Sequence, residues 1–234
     1  MKNSIDLTFW YLRDHKFFRQ ISYRDLKSLC VITGFKKGKK GELVFFESEN
    51  EPMIFFLKKG VIKVVSVDQD GEEVLQEIVR KGDIFGQFPS IMEGKEGRND
   101  YGIVLTQNVV LCSFTVRDFE SLIMRKPELA LKYIKFIGLK FKRISNNYSN
   151  LFLKSAEHRF ISFLLEWAHA EGQLLDKETH LENYLTQADL AQIICSTRQT
   201  IISLIKKLEE KKLIHYSRKS IEIPELKKLE EMLH

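Results

Sequence analysis

Cysteine is scarce. The chain has three, Cys30, Cys112 and Cys195, with no C-x-x-C pair among them. An odd and scattered set argues against a disulfide framework and against a four-thiolate metal or iron–sulfur cluster; all three read as core thiols, with a redox role for one of them as the alternative. Histidine is nearly missing from the first two thirds, where His15 is the only one before residue 158. That stretch therefore lacks axial ligands for haem, and it lacks the cluster of histidines with a carboxylate that a cupin-type metalloenzyme holds inside its barrel. No Gly-x-Ser-x-Gly, Walker A or Cys/His metal spacing occurs, so neither nucleophilic nor phosphoryl chemistry is signalled, no metal is expected, and the protein is not read as an enzyme. No apolar run approaches the roughly 20 residues that span a bilayer, and residues 1–12 carry Asp6 among apolar side chains without a cleavage pattern. A cytoplasmic protein with no membrane partner is expected. Glycine, finally, is almost absent from the second half: ten of the twelve fall between Gly34 and Gly102, and only Gly138 and Gly172 follow.

What is present divides accordingly. At 234 residues, with 44% hydrophobic and 29% charged side chains, the chain has the composition of a globular protein that fits two domains. Between the early glycines lie short β-type runs at 43–47, 53–57, 61–67, 74–79, 103–106 and 109–114, the pattern of a β-sandwich or jelly-roll barrel. Asp68-Gln69-Asp70-Gly71 is the best hairpin turn among them. The period then changes. Pro127 suits the first turn of a helix, and Ala130, Ile134, Ile137, Phe141, Ile144, Tyr148 and Leu151 step by four and three residues, a heptad seam flanked by Lys132, Lys135, Lys140, Lys142 and Arg143. Such a helix packs either on its own barrel or on the same helix of a second subunit. A regular seam over about three heptads favours the homodimer, with Ile134, Ile137, Phe141, Ile144, Tyr148 and Leu151 at its interface.

Residues 186–208 read as two short helices around a tight turn, a helix-turn-helix. Thr186 is a good N-cap with Asp189 at N3; Leu190, Ile193 and Ile194 form the apolar face, and Ala188 and Ala191 are small enough to admit a neighbouring helix. Ser196 and Thr197 offer a second cap, and Ile201, Leu204, Ile205 and Leu208 recur at helical spacing. Arg198, Gln199, Thr200 and Ser203 are then left facing outward. Arginine forms a bidentate contact to guanine and glutamine to adenine, so Arg198 is the leading specificity residue; the plainer alternative is a polar first turn that is merely solvated. Residues 197–219 hold seven cations against Glu209 and Glu210, a local excess equal to the +5 of the whole chain. Residues 214–223 alternate around a basic turn like a β-hairpin wing. Lys206, Arg218 and Lys219 are candidate phosphate contacts, with Thr186, Gln187 and Thr197 beside them. Two recognition helices about 34 Å apart on a two-fold axis would read a palindromic duplex site.

With barrel, long helix and helix-turn-helix in that order, the chain resembles the cyclic-AMP receptor protein and FNR family of bacterial transcription regulators over essentially its whole length. The likeness rests on Lys59-Gly60-Val61-Ile62-Lys63-Val64, Asp70-Gly71-Glu72-Glu73, Lys81-Gly82-Asp83-Ile84-Phe85-Gly86 and Thr197-Arg198-Gln199-Thr200. It implies an α+β fold: a jelly-roll, cyclic-nucleotide-binding-like barrel at 1–116, a dimerisation helix and hinge at 117–154, and a winged helix-turn-helix at 155–234. It also implies RNA polymerase as a further partner. Arg198 corresponds to the guanine-reading arginine, Gln199 replaces a glutamate and Ser203 an arginine, so a different operator is expected. Cys195 stands where the inter-helix turn usually has glycine.

The resemblance places an effector at Gly86, Gln87, Phe88, Arg98 and Asn99. Gln87 stands for the glutamate that accepts from a ribose hydroxyl, and Arg98-Asn99-Asp100 for the Arg-Ser or Arg-Thr that holds the cyclic phosphate. Gln87 accepts without charge assistance and Asp100 adds negative charge, which argues against cyclic AMP. Another small anion held by Arg98 and the amides of 94–97 is one reading; a surface-loop arginine is the other. Neither haem nor an iron–sulfur cluster is expected. Two rival functions remain on the sequence: a nucleotide-sensing module whose winged helix binds protein, and, more remotely, the cupin-type enzyme.

Overall fold

Strand β4 (Glu51–Lys59) is buried at five successive positions because both of its faces are covered. Phe55 and Leu57 enter one apolar cluster with Val44, Ile62, Val79, Phe85, Val104 and Leu111, whereas Ile54 and Phe56 enter a second with Phe114, Phe119, Leu122 and Leu129. The first fills the space between two antiparallel sheets, and the second lies between one of those sheets and the helices that follow it. The computed structural model describes residues 12–13, 15, 17–19, 23, 34–48, 51–67, 70–86, 100–175 and 178–233.

One sheet runs β1 (Gly34–Gly38), β9 (Val109–Thr115), β4 and β3 (Glu47–Ser48), with β7 (Ile84–Gly86) also paired to β4. The other runs β2 (Leu43–Phe45), β8 (Tyr101–Val104), β5 (Ile62–Val67) and β6 (Glu73–Val79). The observed strands refine the sequence expectations. The run at 43–47 is split at Phe46, whose ring is buried between β2 and β3 beside Phe55 and Phe85. The strand expected at 103–106 starts two residues earlier, and β1 was not anticipated at all. The β5–β6 hairpin closes at Gly71, with φ at 85°; Asp68 and Gln69 of that turn lie outside the described residues.

Thr115 caps helix α1 (Val116–Arg125), its hydroxyl accepting from the Asp118 amide at 3.1 Å. Phe119 and Leu122 of α1 pack on the barrel. Helix α2 (Pro127–Leu153) begins at the expected proline. Its first half uses Leu129, Tyr133 and Phe136 to pack on the same core, the Tyr133 ring edge-on to Phe119 at 5.3 Å. Burial pushes the Tyr133 phenol up to about 12. Lys140 then pairs with Glu77 of β6 at 2.6 Å in a partly buried ion pair. The heptad positions Ile134, Ile137, Phe141, Ile144, Tyr148 and Leu151 are all exposed, from 37% at Leu151 to 71% at Phe141.

The chain divides into two compact units, Met1–Lys140 and Phe141–His234. In the second, α3 (Ala156–Glu171) starts at Ser155, whose hydroxyl accepts from the His158 amide. Phe160, Ile161, Leu164 and Trp167 form its buried face, and the helix packs against α5 (Arg198–Glu210) and α6 (Leu226–Glu231), while α4 (Gln187–Ile193) packs on α5. A sheet ordered β10 (Gln173–Leu175), β11 (Glu178–Glu182), β13 (Ser220–Ile223) and β12 (His215–Tyr216) completes the unit. The wing expected from sequence is β12–β13; β10 and β11 enlarge it to four strands. Among the described residues no helix is long and apolar enough to cross a membrane, and no group of His, Cys, Asp and Glu is arranged to hold a metal ion.

Candidate nucleic-acid interface

Helix α4 starts with a reciprocal capping box. Thr186 Oγ1 accepts from the Asp189 amide at 3.0 Å, and the Asp189 carboxylate accepts from the Thr186 amide at 2.9 Å and from its hydroxyl at 2.7 Å. Asp189 is buried by this arrangement, and Leu190, Ala191 and Ile194 supply the apolar face. Ala188 is exposed, contrary to the expectation that it lies at the helix–helix contact: it projects from the solvent side of α4, and Ala191 alone provides the small packing residue.

The turn between the helices is closed by the Ser196 amide donating to Ala191 O at 2.8 Å and the Cys195 amide to Gln192 O at 3.1 Å. It requires a left-handed residue, and Cys195 adopts φ of 51°, a conformation that glycine takes without a Cβ clash. Cys195 is exposed, which corrects its reading as a core thiol; Cys112 is buried, and Cys30 lies outside the described residues. The carbonyls left at the end of α4 are met from α3, a contact that sequence reasoning missed. Arg159 donates from Nε to Ile194 O at 2.9 Å, from Nη2 to Cys195 O at 3.3 Å and from Nη1 to Lys154 O at 2.6 Å. A guanidinium at a helix C-terminus satisfies orphan carbonyls and opposes the negative end of the dipole.

Helix α5 is capped by Thr197, whose hydroxyl accepts from the Thr200 amide at 3.1 Å and meets the Thr200 hydroxyl at 2.9 Å. Ile201, Leu204, Ile205 and Leu208 are buried, so Arg198, Gln199, Ser203 and Lys206 face solvent, with Thr200 half-buried. The Arg198 side chain makes no hydrogen bond or ion pair among the described residues and is free to engage a partner. Ser203 donates to the Gln199 carbonyl at 3.1 Å, and Lys206 forms an exposed pair with Glu210 at 3.8 Å. Such a pair contributes little and is readily exchanged for a phosphate. Lys207 is turned away to Glu157 of α3 at 2.6 Å.

The wing tip is fixed from behind. Asn183 donates from its side chain to Ser217 O at 2.7 Å and from its amide to Lys219 O at 2.9 Å, and the Ser217 hydroxyl accepts from the amides of Lys219 and Ser220. Arg218 and Lys219 stand exposed on that tip. Asn183 is a second positioning residue missed from sequence; its place just before the Thr186 cap was the available signal. Thr186 and Thr197 are exposed and Gln187 half-buried, on the same unit as Arg198 and the wing.

Of the effector candidates only Gly86 is described. Its φ is 128°, and a Cβ there would collide with the Met53 carbonyl, so the close approach of β7 to β4 by itself requires glycine. Gln87, Phe88, Arg98 and Asn99 lie outside the described residues.

A two-sheet roll followed by a long helix and a winged helix-turn-helix, with an exposed arginine at the start of the second helix, defines a DNA-binding regulator with a sensor domain. The comparisons agree. Residues 35–126 match the cyclic nucleotide-binding domain family, and residues 158–232 match the Crp-like helix-turn-helix domain. The chain is 26% identical over 193 residues to the global nitrogen regulator of Nostoc, covering 82% of this chain and 85% of that protein. It is 23% identical over 190 residues to a CRP-like cAMP-activated global transcriptional regulator of Mycobacterium tuberculosis, covering 81% and 84%. Among solved structures, a CooA variant from Carboxydothermus hydrogenoformans superposes with a TM-score of 0.68 at 19% identity over 88% of this chain and 90% of that one, a likeness of fold. The chain belongs to the Crp/Fnr family of transcription regulators.

Proposed function

We propose that two copies of this chain pair along the exposed seam of α2 and set Arg198 and Gln199 of each α5 into successive major grooves of a palindromic site. The observation that carries this is the solvent-facing, uncommitted Arg198 on a helix whose opposite face is fully buried. Lys206, Arg218 and Lys219 supply phosphate contacts, with Thr186, Gln187, Thr197, Thr200 and Ser203 lining the same surface. Ser203, already bonded to the helix carbonyl, contributes less to base discrimination than Arg198 does.

Control belongs to the roll. A small anionic effector other than cyclic AMP is the reading supported by Gln87 and Asp100, and its binding would shift the pair between two arrangements that differ in the separation of the α5 helices. RNA polymerase is the proposed protein partner and the cytoplasm the compartment.

A gel-shift titration with selected duplexes tests the core of this reading. Affinity should fall steeply between about 50 and 200 mM salt, as counterion release by several lysines and arginines requires. The double substitution Ile137→Glu with Phe141→Glu should yield a folded monomer by sedimentation whose operator affinity is lost. Unchanged affinity in a demonstrated monomer overturns the paired geometry, and salt-insensitive binding favours a protein partner for the winged helix.

A further inference from the structure

We propose that Ile202 is a specificity-determining residue of α5, which reads the 5-methyl group of a thymine in the major groove close to the guanine contacted by Arg198. The assignment rests on the proposed entry of α5 into that groove and adds a base preference that the polar residues of the helix do not supply. Of the large apolar side chains on α4 and α5, Ile202 alone is exposed, at 38%. Its neighbour Ile201 takes the core position, and Leu204, Ile205 and Leu208 continue the buried stripe.

Helix geometry sets what surrounds it. Residues three and four apart share a face, so Ile202 is flanked by Arg198 and Gln199 on the preceding turn and by Lys206 on the next, all of them exposed. Ser203, beside it, has its hydroxyl turned back to the Gln199 carbonyl at 3.1 Å. Ile202 thus stands inside the stripe that carries the base-reading candidates. Helix formation does not explain an isoleucine there, because a β-branched side chain is a weaker helix former than alanine, lysine or glutamate, and at 202 it lies outside the buried stripe whose packing would offset that. Sequence reasoning missed the residue because an apolar side chain next to Ile201 reads as core.

The chemistry of the side chain decides the base. Isoleucine has no hydrogen-bonding group, so it cannot answer the amino donor of cytosine or the two acceptors of guanine, and covering those groups would leave them desolvated and unpaired. Thymine is the one base that presents a methyl group to the major groove, where apolar side chains meet it. A helix rises about 1.5 Å per residue, which puts Ile202 roughly 6 Å along α5 from Arg198, the length of about two base-pair steps. The thymine is therefore expected within about two base pairs of the guanine that Arg198 reads, once in each half-site.

The test uses the full-length chain and the duplex it binds best out of a random-sequence pool. Thymines near the guanine whose preference Arg198→Ala relaxes are replaced one at a time by deoxyuridine, which removes the methyl group and keeps the base pair. One position in each half-site should lose about fourfold in affinity, and changing both half-sites together about 15-fold. In Ile202→Ala, checked for folding by thermal melting, the ratio of thymine to deoxyuridine affinity should fall to near one at that position and nowhere else. Ile202→Val should keep most of the discrimination. Discrimination that survives in Ile202→Ala, or binding indifferent to every methyl group within about three base pairs of the guanine, overturns the role of Ile202 and leaves the entry of α5 into the groove standing. A chain that binds no duplex from the pool overturns both.

Discussion

Two residues of the reading head differ in what they are asked to do. Arg198 has no intramolecular partner among the described residues, so Arg198→Ala should leave stability unchanged, relax the preference for one guanine and cost about 1–3 kcal/mol on the preferred site. Lys206→Ala should instead weaken all duplexes alike. Parallel binding curves on operators varied one base pair at a time separate the two patterns. Cys195 is a case of strain. Its φ of 51° is costly for a residue with a Cβ, and Cys195→Gly should raise the unfolding free energy of the C-terminal unit by about 1 kcal/mol in urea melts. The sequence already marked this position, because a family-typical glycine is replaced there. It did not mark Arg159, whose three carbonyl partners lie just past the ends of two different helices and leave no periodic trace.

Among elements, legibility followed periodicity and caps. The helix-turn-helix was readable because Thr186–Asp189 and Thr197 are local signals and the apolar positions of α5 repeat within one helix. Strand β4 was readable as a strand although not alternating, since both faces are covered. By contrast, β1 is bounded by Gly34 and Gly38, which read as turn residues, and β10 carries the exposed Leu174 and Leu175 with no polar alternation. Only pairing with β9 and β11 reveals these two. The α1–α2 pair adds a pH prediction. Tyr133 is packed against Phe119 and titrates near 12 in the folded chain against about 10 when unfolded, so the folded state holds the proton more tightly. Stability should therefore be full below pH 10 and decline as pH rises from 10 toward 12. Tyr133→Phe should flatten that decline in denaturant melts taken at several alkaline pH values.

For the whole molecule, order of domains and family were legible, whereas the effector was not, because ligand identity resides in a few side chains whose departures from the family pattern say what is lost more clearly than what is gained. One feature of α2 sets a requirement on the intact protein. From Phe141 to Ser149 every residue is exposed, beyond the Lys140–Glu77 tether. A stretch of that kind buries little apolar surface of its own to offset the entropy of helix formation, and intrinsic propensity is weak for so short a segment. Far-UV ellipticity should consequently drop on serial dilution, in step with dissociation measured by sedimentation. In the proposed pair, the distal half of α2 would then owe its winding to the second copy, a debt that a solitary subunit has no means to settle.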